Sequence, residues 1–277
     1  MQVIFSKDHV LHDNATHPEN ARRLSLLPLR DFAEAPNGEK WLGLAHSKEY
    51  VEKIRRVDKA YWFESGAGYL DPDTYLTPNS FSVACLAAGA AVKAMQTGGF
   101  AVMRPPGHHA GRATGAGFCI FNNAAIAALA SRKRVAIIDW DAHHGNGTEK
   151  IVKGNEKILY FSTHQSPLYP GTGAQSEGNC INVPLPAKAG DREFIAAVDK
   201  KLRPALEKFQ PEIVGISAGF DSYYKDAGWL TNMALTAKSY LHVLKLVKDY
   251  KTFLVLEGGY NPESVKEGVE AVLEFYK

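Results

Sequence analysis

Four short apolar runs in this chain each end on residues that a plain hydrophobic core would not contain. Residues 100–103 run into Arg104-Pro-Pro-Gly-His-His-Ala110, and residues 135–138 into Asp139-Trp-Asp-Ala-His-His-Gly-Asn-Gly147. Residues 211–217 lead to Ala218-Gly-Phe-Asp221, and residues 253–256 to Glu257-Gly-Gly-Tyr-Asn261. Short apolar runs bounded by such turns read as strands buried on both faces. Helical patterns over 80–96, 120–130, 191–209, 231–249 and 262–275 alternate with them. The alternation predicts one α/β domain over 1–277, a mostly parallel sheet flanked by helices. Parallel strands bring their C-terminal ends to one edge, where open α/β sheets hold ligands. The four polar endings should therefore converge.

Smaller features fill in the frame. A first strand is expected at 3–5, and Pro18 opens a helix to about residue 27 carrying Arg22 and Arg23, for which solvent is expected over the alternative that one of them points inward. A helix to residue 57 follows, capped by Ser47. Residues 58–78 form a long connection carrying Tyr61, Trp62, Phe63, Tyr69, Asp71, Asp73 and Tyr75. Its aromatic residues either line a mouth or cover the core. The face of Ala84, Ala87, Ala88 and Ala91 suits close helix packing, while Pro204 predicts a kink or break inside 191–209. Further strands are expected at 157–161 and 180–183.

Composition narrows the function classes. Lys and Arg exceed Asp and Glu by 32 − 30 = 2, with no basic stripe, so a nucleic-acid surface is not expected. No apolar run of membrane length occurs, and the start, Met1-Gln-Val-Ile-Phe5, lacks a signal-peptide pattern. Three scattered cysteines, Cys85, Cys119 and Cys180, offer no disulfide framework, which suggests a reducing, cytoplasmic setting.

The polar endings suggest metal chemistry. Asp139, Asp141 and His143 share one face if the chain stays extended after its strand, although an aspartate there would also suit a helix cap. Asp141, His143 and Asp221 make a set of one nitrogen and two carboxylates. Zinc is its natural occupant, and iron or manganese also match these donors. Asp139 is left to accept from the Nδ1–H of a catalytic histidine, and His144 points away to a structural role. A divalent cation, the histidine pair His108 and His109, and Tyr260 on a Gly-Gly turn together suit hydrolysis of a neutral acyl compound.

These runs, together with Gly117-Phe-Cys-Ile-Phe-Asn-Asn123 and Tyr169-Pro-Gly-Thr-Gly173, resemble the histone deacetylase family of the arginase–deacetylase fold over nearly the whole chain. The Asp-Trp-Asp, His-His-Gly-Asn-Gly and Glu-Gly-Gly-Tyr forms are closest to class II and bacterial deacetylase-like amidohydrolases. The resemblance implies that Asp141, His143 and Asp221 bind one zinc ion. It assigns His109 as general base and acid, His108 as its partner held by Asp139, and Tyr260 as the group that polarises the carbonyl. Phe118 and Tyr169 would wall an acyl-lysine tunnel with Gly117 on its floor. The family's structural potassium would be held by Asp139, Asp141, the backbone of His143, Ser162 and the backbone of Thr163. Asn146 stands where class I members have a carboxylate, so it orients His109 without adding charge.

The substrate classes implied are an acylated lysine side chain and, as an alternative, an acetylpolyamine or other small acylated amine. Polyamine-specific relatives carry a glutamate where Gly228 stands here, and Trp229 is expected to reshape that rim. A ureohydrolase with two manganese ions would need further carboxylates. A catalytically silent binding protein sits poorly with the complete site set.

Overall fold

The computed structural model describes residues 1–29, 31–57 and 68–277; Tyr61, Trp62 and Phe63 lie outside the described residues. In chain order, β1 (Val3–Phe5), β2 (Phe32–Glu34) and helix α1 (Lys48–Val57) precede a small hairpin of β3 (Gly68–Tyr69) and β4 (Tyr75–Leu76). Helix α2 (Ser80–Thr97), β5 (Phe100–Ala101), α3 (Asn123–Ser131), β6 (Val135–Asp139), α4 (Asn146–Val152) and β7 (Ile158–Gln165) follow. Then come β8 (Cys180–Leu185), α5 (Asp191–Ala197), α6 (Arg203–Phe209), β9 (Ile213–Ala218), α7 (Ala237–Leu246), β10 (Lys251–Leu256) and α8 (Pro262–Phe275).

Eight strands form one sheet in the order β2-β1-β5-β10-β9-β6-β7-β8, and every pairing in it is parallel. The inner strands β6 and β9 are buried along their whole length, as both covered faces require. One feature of the order matters most for the site. The chain leaves two places between β5 and β6, and β9 and β10 fill them later. The strands that end near Asp221 and Tyr260 are thereby wedged between those that end near His109 and Asp141. Register aligns them: Asp139 pairs with Ser162 on one side and Ser217 on the other.

Helix α2 packs as its alanines suggest, with Ala84, Ala87, Ala88 and Ala91 buried against the sheet and α3. Ser47 accepts from the Tyr50 N–H at the start of α1, as a capping residue should. Three expectations change. Residues 17–27 form a single 3-10 turn, Ala21–Leu24, instead of a long helix, and Arg23 is buried. Residues 191–209 do not break at Pro204. The Arg203 N–H reaches back to Val198 O, and a π stretch, Val198–Leu202, absorbs the proline. Residues 231–236 are not helical. Asp191 accepts from both the N–H and Oγ1 of Thr236, which fixes that threonine as the cap of α7.

Arg23 is buried because of Glu19. The Glu19 carboxylate, wholly enclosed, accepts from Arg23 Nη1 at 2.9 Å and from Arg104 Nε and Nη2 at 2.6 and 2.8 Å. Arg23 also donates to the carbonyls of Glu257 and Gly259, and Tyr75 donates its hydroxyl to Glu19 O at 2.9 Å. Glu19 and its partner Arg23 thus tie the 3-10 turn to the β4 hairpin, the end of β5 and the end of β10. Such ion pairs outweigh helix propensity, because an unpaired buried charge costs several kcal/mol.

The same group sets an acid sensitivity. Burial alone would raise the Glu19 carboxyl, but Arg104 and Arg23 hold it down at about 2. Depressed below its ordinary value of 4.5, it stabilises the fold fully above pH 4.5, and this contribution is lost as pH falls through about 2. The size is about 3 kcal/mol at 1.36 kcal/mol per unit. Thermal melts across pH 2–5 should show that decline. Glu19→Gln should lower stability by roughly 3–5 kcal/mol at pH 7 and flatten the decline. An unchanged pH profile in the mutant would contradict this account.

Candidate active site

Asp139 ends β6, and the chain beyond it is shaped by its own carboxylates. The Asp141 N–H donates to Asp139 Oδ1 at 3.1 Å, and the His143 N–H to Asp141 Oδ1 at 2.9 Å. These turns aim Asp141 and His143 across the sheet edge towards Asp221, which follows β9 and accepts from the Ala142 N–H at 2.8 Å. His143 Nδ1 lies 2.8 Å from Asp221 Oδ2 and 3.2 Å from Asp141 Oδ1. One donor atom from each of the three residues falls within 4.8 Å of the others, and all three residues are buried. Gly258 closes the group from β10: its N–H donates to Asp141 Oδ2 at 2.8 Å. A Cβ there would sit 2.5 Å from that oxygen and 2.6 Å from Asp221 Oδ2.

The electrostatics fit a cation. Burial and the Asp141 carboxylate push the Asp221 carboxyl up to about 7. His143 is raised to about 10: burial opposes its charge, but Asp221 and Asp141 more than offset that. Two buried carboxylates facing one imidazole therefore draw in positive charge, and a divalent ion on these donors supplies it. A second buried cluster, His108, Cys119 and Glu257, is also compact. Its donors are already engaged. Glu257 Oε2 accepts from the N–H groups of Gly107 and His108, and its Oε1 accepts from Ser217 Oγ. The Cys119 thiol is pushed well up by burial, which opposes thiolate ligation.

His108 and His109 stand beside the first cluster. His108 Nδ1 is 3.1 Å from Asp139 Oδ2, an oxygen that also accepts from Tyr160 Oη at 3.0 Å. Burial opposes charge on His108, yet Asp141 and Asp139 raise it to about 10. His109 behaves oppositely: burial, then the charges of His108 and His143, push it well below its ordinary value. Its Nδ1 lies 2.9 Å from Asn146 Oδ1. An amide oxygen there accepts from Nδ1–H and leaves Nε2 as the basic nitrogen. His144 turns away, with Nδ1 2.8 Å from Thr172 Oγ1 and Nε2 2.7 Å from Glu149 Oε2.

A slot of about 150 Å³ leads to these groups. Phe118, Tyr169, Gly117, His109, His143 and Tyr260 line it, as do Asp73 and Leu230. A Cβ on Gly117 would meet the His109 ring at 2.4 Å, so the slot at that point admits glycine alone. Its φ of 53° is equally suited to glycine. The β3–β4 turn braces this wall. Phe118 N–H donates to Thr74 Oγ1 at 2.9 Å, and Gly117 N–H to Asp71 Oδ2 at 3.2 Å.

Trp229 is not on the slot. It is 60% exposed and lines a separate groove on the other side of Tyr260, while Leu230 takes the slot wall. The sequence puts the rim at Trp229, one residue too early, because the chain turns at Gly228 with φ of 90°. Ser162 is buried beside Asp139 in the sheet register, and the buried Thr163 Oγ1 has no hydrogen-bond partner among the described residues. Asp226 belongs to no motif of the sequence. Its buried carboxylate accepts from the N–H groups of Tyr260 and Asn261, both at 3.0 Å, and so holds the tyrosine's turn. An acidic residue five positions after Asp221 offered the only hint.

The sequence model of the histone deacetylase domain matches residues 12–276. The chain belongs to the histone deacetylase family. It is 35% identical over 300 residues to a probable deacetylase of Archaeoglobus fulgidus, covering 94% of this chain and 81% of that protein. It is 38% identical over 258 residues to histone deacetylase 15 of Arabidopsis thaliana, covering 84% of this chain and 46% of the plant protein. Its fold superposes on the crystal structure of the HDA15 HD domain with a TM-score of 0.91 at 34% identity, over 99% of this chain and 90% of that one. The family match makes the chain a histone deacetylase-family metal-dependent hydrolase, with the Asp141, His143 and Asp221 cluster as its candidate metal centre.

Gly258 gives a direct test of the metal cluster. Gly258→Ala puts a methyl group against both carboxylates and should weaken divalent-metal binding, probed with zinc, about 10–100-fold, the usual cost of disturbing the groups around a metal site. Zinc content after dialysis at graded free zinc measures it. Affinity equal to the parent's would refute the close approach.

Proposed function

We propose that this chain hydrolyses the amide of an N-acylated amine, with an acylated lysine side chain as the leading substrate class. Asp141, His143 and Asp221 would hold one zinc ion. The observation that carries this reading is His109, its Nδ1 held by Asn146 Oδ1 at 2.9 Å, facing a narrow slot beside those three donors. Zinc in that position polarises a carbonyl and eases deprotonation of water.

The chain's own groups supply the rest. His109 Nε2 takes a proton from the attacking water, its Nδ1–H held by Asn146. His108, protonated and paired with Asp139, lies with its ring centroid 4.1 Å from that of His109 and limits how tightly the proton is kept. As the new C–O bond forms and the C–N bond breaks, His109 returns the proton to the leaving amine nitrogen. Tyr260, packed under the Arg23 guanidinium and against Phe118, donates its hydroxyl hydrogen bond to the developing oxyanion. Phe118 and Tyr169 give the slot apolar walls that suit an extended methylene chain and exclude water. Asp139, Asp141, Ser162 and the backbones of His143 and Thr163 are proposed to hold the potassium ion that the family resemblance implies. The pairing of Asp139 with Ser162 supports it.

Zinc-loaded protein should release acetate from acetyl-lysine peptides and lose that activity to a chelator. Tyr260→Phe should keep zinc but lose roughly 2–4 kcal/mol of transition-state stabilisation in kcat/KM. A loss below about threefold would remove Tyr260 from the mechanism.

One observation favours acetylpolyamines as a second reading. Asp73, exposed at the slot mouth, puts a carboxylate where a second ammonium group would emerge. An exposed pair of this kind contributes about 1 kcal/mol at most. Asp73→Asn should then lower kcat/KM for acetylspermidine up to about fivefold relative to a neutral acetyl-lysine amide. An equal effect on both substrates would remove the support.

A further inference from the structure

Beside the slot, on the far side of the Tyr260 ring, lies a groove of about 270 Å³. His17, Arg22, Arg23, Trp229 and Pro262 are among its lining residues, and among the described residues no acidic side chain lines it. The two arginines differ in kind. Arg23 is buried and neutralised by Glu19. Arg22 is exposed and gives one donor to Ala15 O at 2.6 Å, and it makes no ion pair among the described residues. The carboxylates close by are committed elsewhere. Glu19 faces Arg23 and Arg104, Asp226 accepts from Tyr260 and Asn261, Glu263 pairs with Lys225 at 3.0 Å, and the exposed Asp13 accepts from the Ala21 N–H at 2.6 Å and makes no ion pair with Arg22. The groove therefore carries one arginine, Arg22, without an ion-pair partner among the described residues. Beside it stands Trp229, the most exposed of the large apolar side chains among the described residues and a flat surface at 60% exposure.

We propose that this groove is a substrate subsite for the chain flanking the acylated lysine, and that it selects an acidic residue there. This rests on the acyl-lysine reading above. With the lysine side chain in the slot, the substrate backbone crosses its mouth, and each residue further along reaches 3.3–3.6 Å. A neighbour one or two residues away comes over the shared Tyr260 wall. Its carboxylate would meet the free guanidinium donors of Arg22, a planar fork suited to carboxylates. The methylene groups next to it would lie on the Trp229 ring. A lysine or arginine at the same place would meet like charge and no carboxylate among the described lining residues. The mouth is thus two-sided, with Asp73 on the slot and Arg22 on the groove, and an acyl-lysine flanked by an acidic residue matches the second side.

The test uses matched acetyl-lysine peptides with Glu, Gln or Lys placed one or two residues from the acetyl-lysine, on either side in turn. Tryptophan fluorescence titration gives binding, and acetate release gives kcat/KM. At low ionic strength the best-placed Glu peptide should exceed its Lys counterpart by about fivefold in both readouts, the scale of one partly exposed ion pair. The preference should vanish towards 1 M salt, where screening acts over about 3 Å. Arg22→Glu, a change on an exposed side chain, should invert the order. Equal binding of the Glu and Lys peptides, or an order unchanged in Arg22→Glu, would overturn the subsite. If no peptide is deacetylated by zinc-loaded protein, the acyl-lysine reading fails, whereas the order of peptide binding still decides whether the groove selects acidic chains.

Discussion

The molecule is built around a concentration of buried charge that only a particular backbone can hold. Asp139, Asp141, Asp221 and Glu257 are all enclosed within a short distance of one sheet edge. Isolated carboxylates in such a place would be prohibitively costly. Here each accepts from backbone N–H groups at the edge: Asp141 for Asp139, His143 and Gly258 for Asp141, Ala142 for Asp221, Gly107 and His108 for Glu257. Those amides are free to donate because they lie just past the last rungs of parallel strands. The sheet topology and the chemistry are therefore the same constraint, seen from two sides.

Opposite behaviour in two adjacent histidines follows from this arrangement. His108 faces the carboxylates and is raised to about 10, while His109 faces an amide and the other imidazoles and is pushed well down. No difference in residue type is involved. The neighbouring side chains, delivered by β6 and α4, divide the two roles. The Glu19 cluster does comparable work on the other side. It locks the turn before His108 and the turn before Tyr260 to a common support.

Much of this could be read in the sequence, and the reasons are local. Apolar runs flanked by turn residues mark buried strands whatever the rest of the chain does, so β6, β9 and β10 were found where they lie. The convergence of Asp141, His143 and Asp221 followed from the parallel-sheet rule alone. What stayed hidden depends on partners far away in sequence. Arg23 looks like any helix-surface arginine until Glu19 and the carbonyls of Glu257 and Gly259 are brought beside it. Leu230 cannot be told from Trp229 by counting, since the reversal at Gly228 decides which of them faces the slot. Asp226 likewise reveals its hold on Tyr260 only once two loops meet.

The placement of β9 and β10 between β5 and β6 has a consequence for how the molecule comes into being. A chain emerging from the ribosome presents β1 to β8 before the two strands that join the halves of the sheet exist. Until then β5 and β6 are open edges with unpaired backbone groups, the kind of surface that invites wrong partners. Asp141 and His143 are already made, yet Asp221, Gly258 and Tyr260 are still to come. Metal capture and sheet closure thus belong to one late event, and a nascent chain stalled before residue 251 holds half a site between two sticky borders.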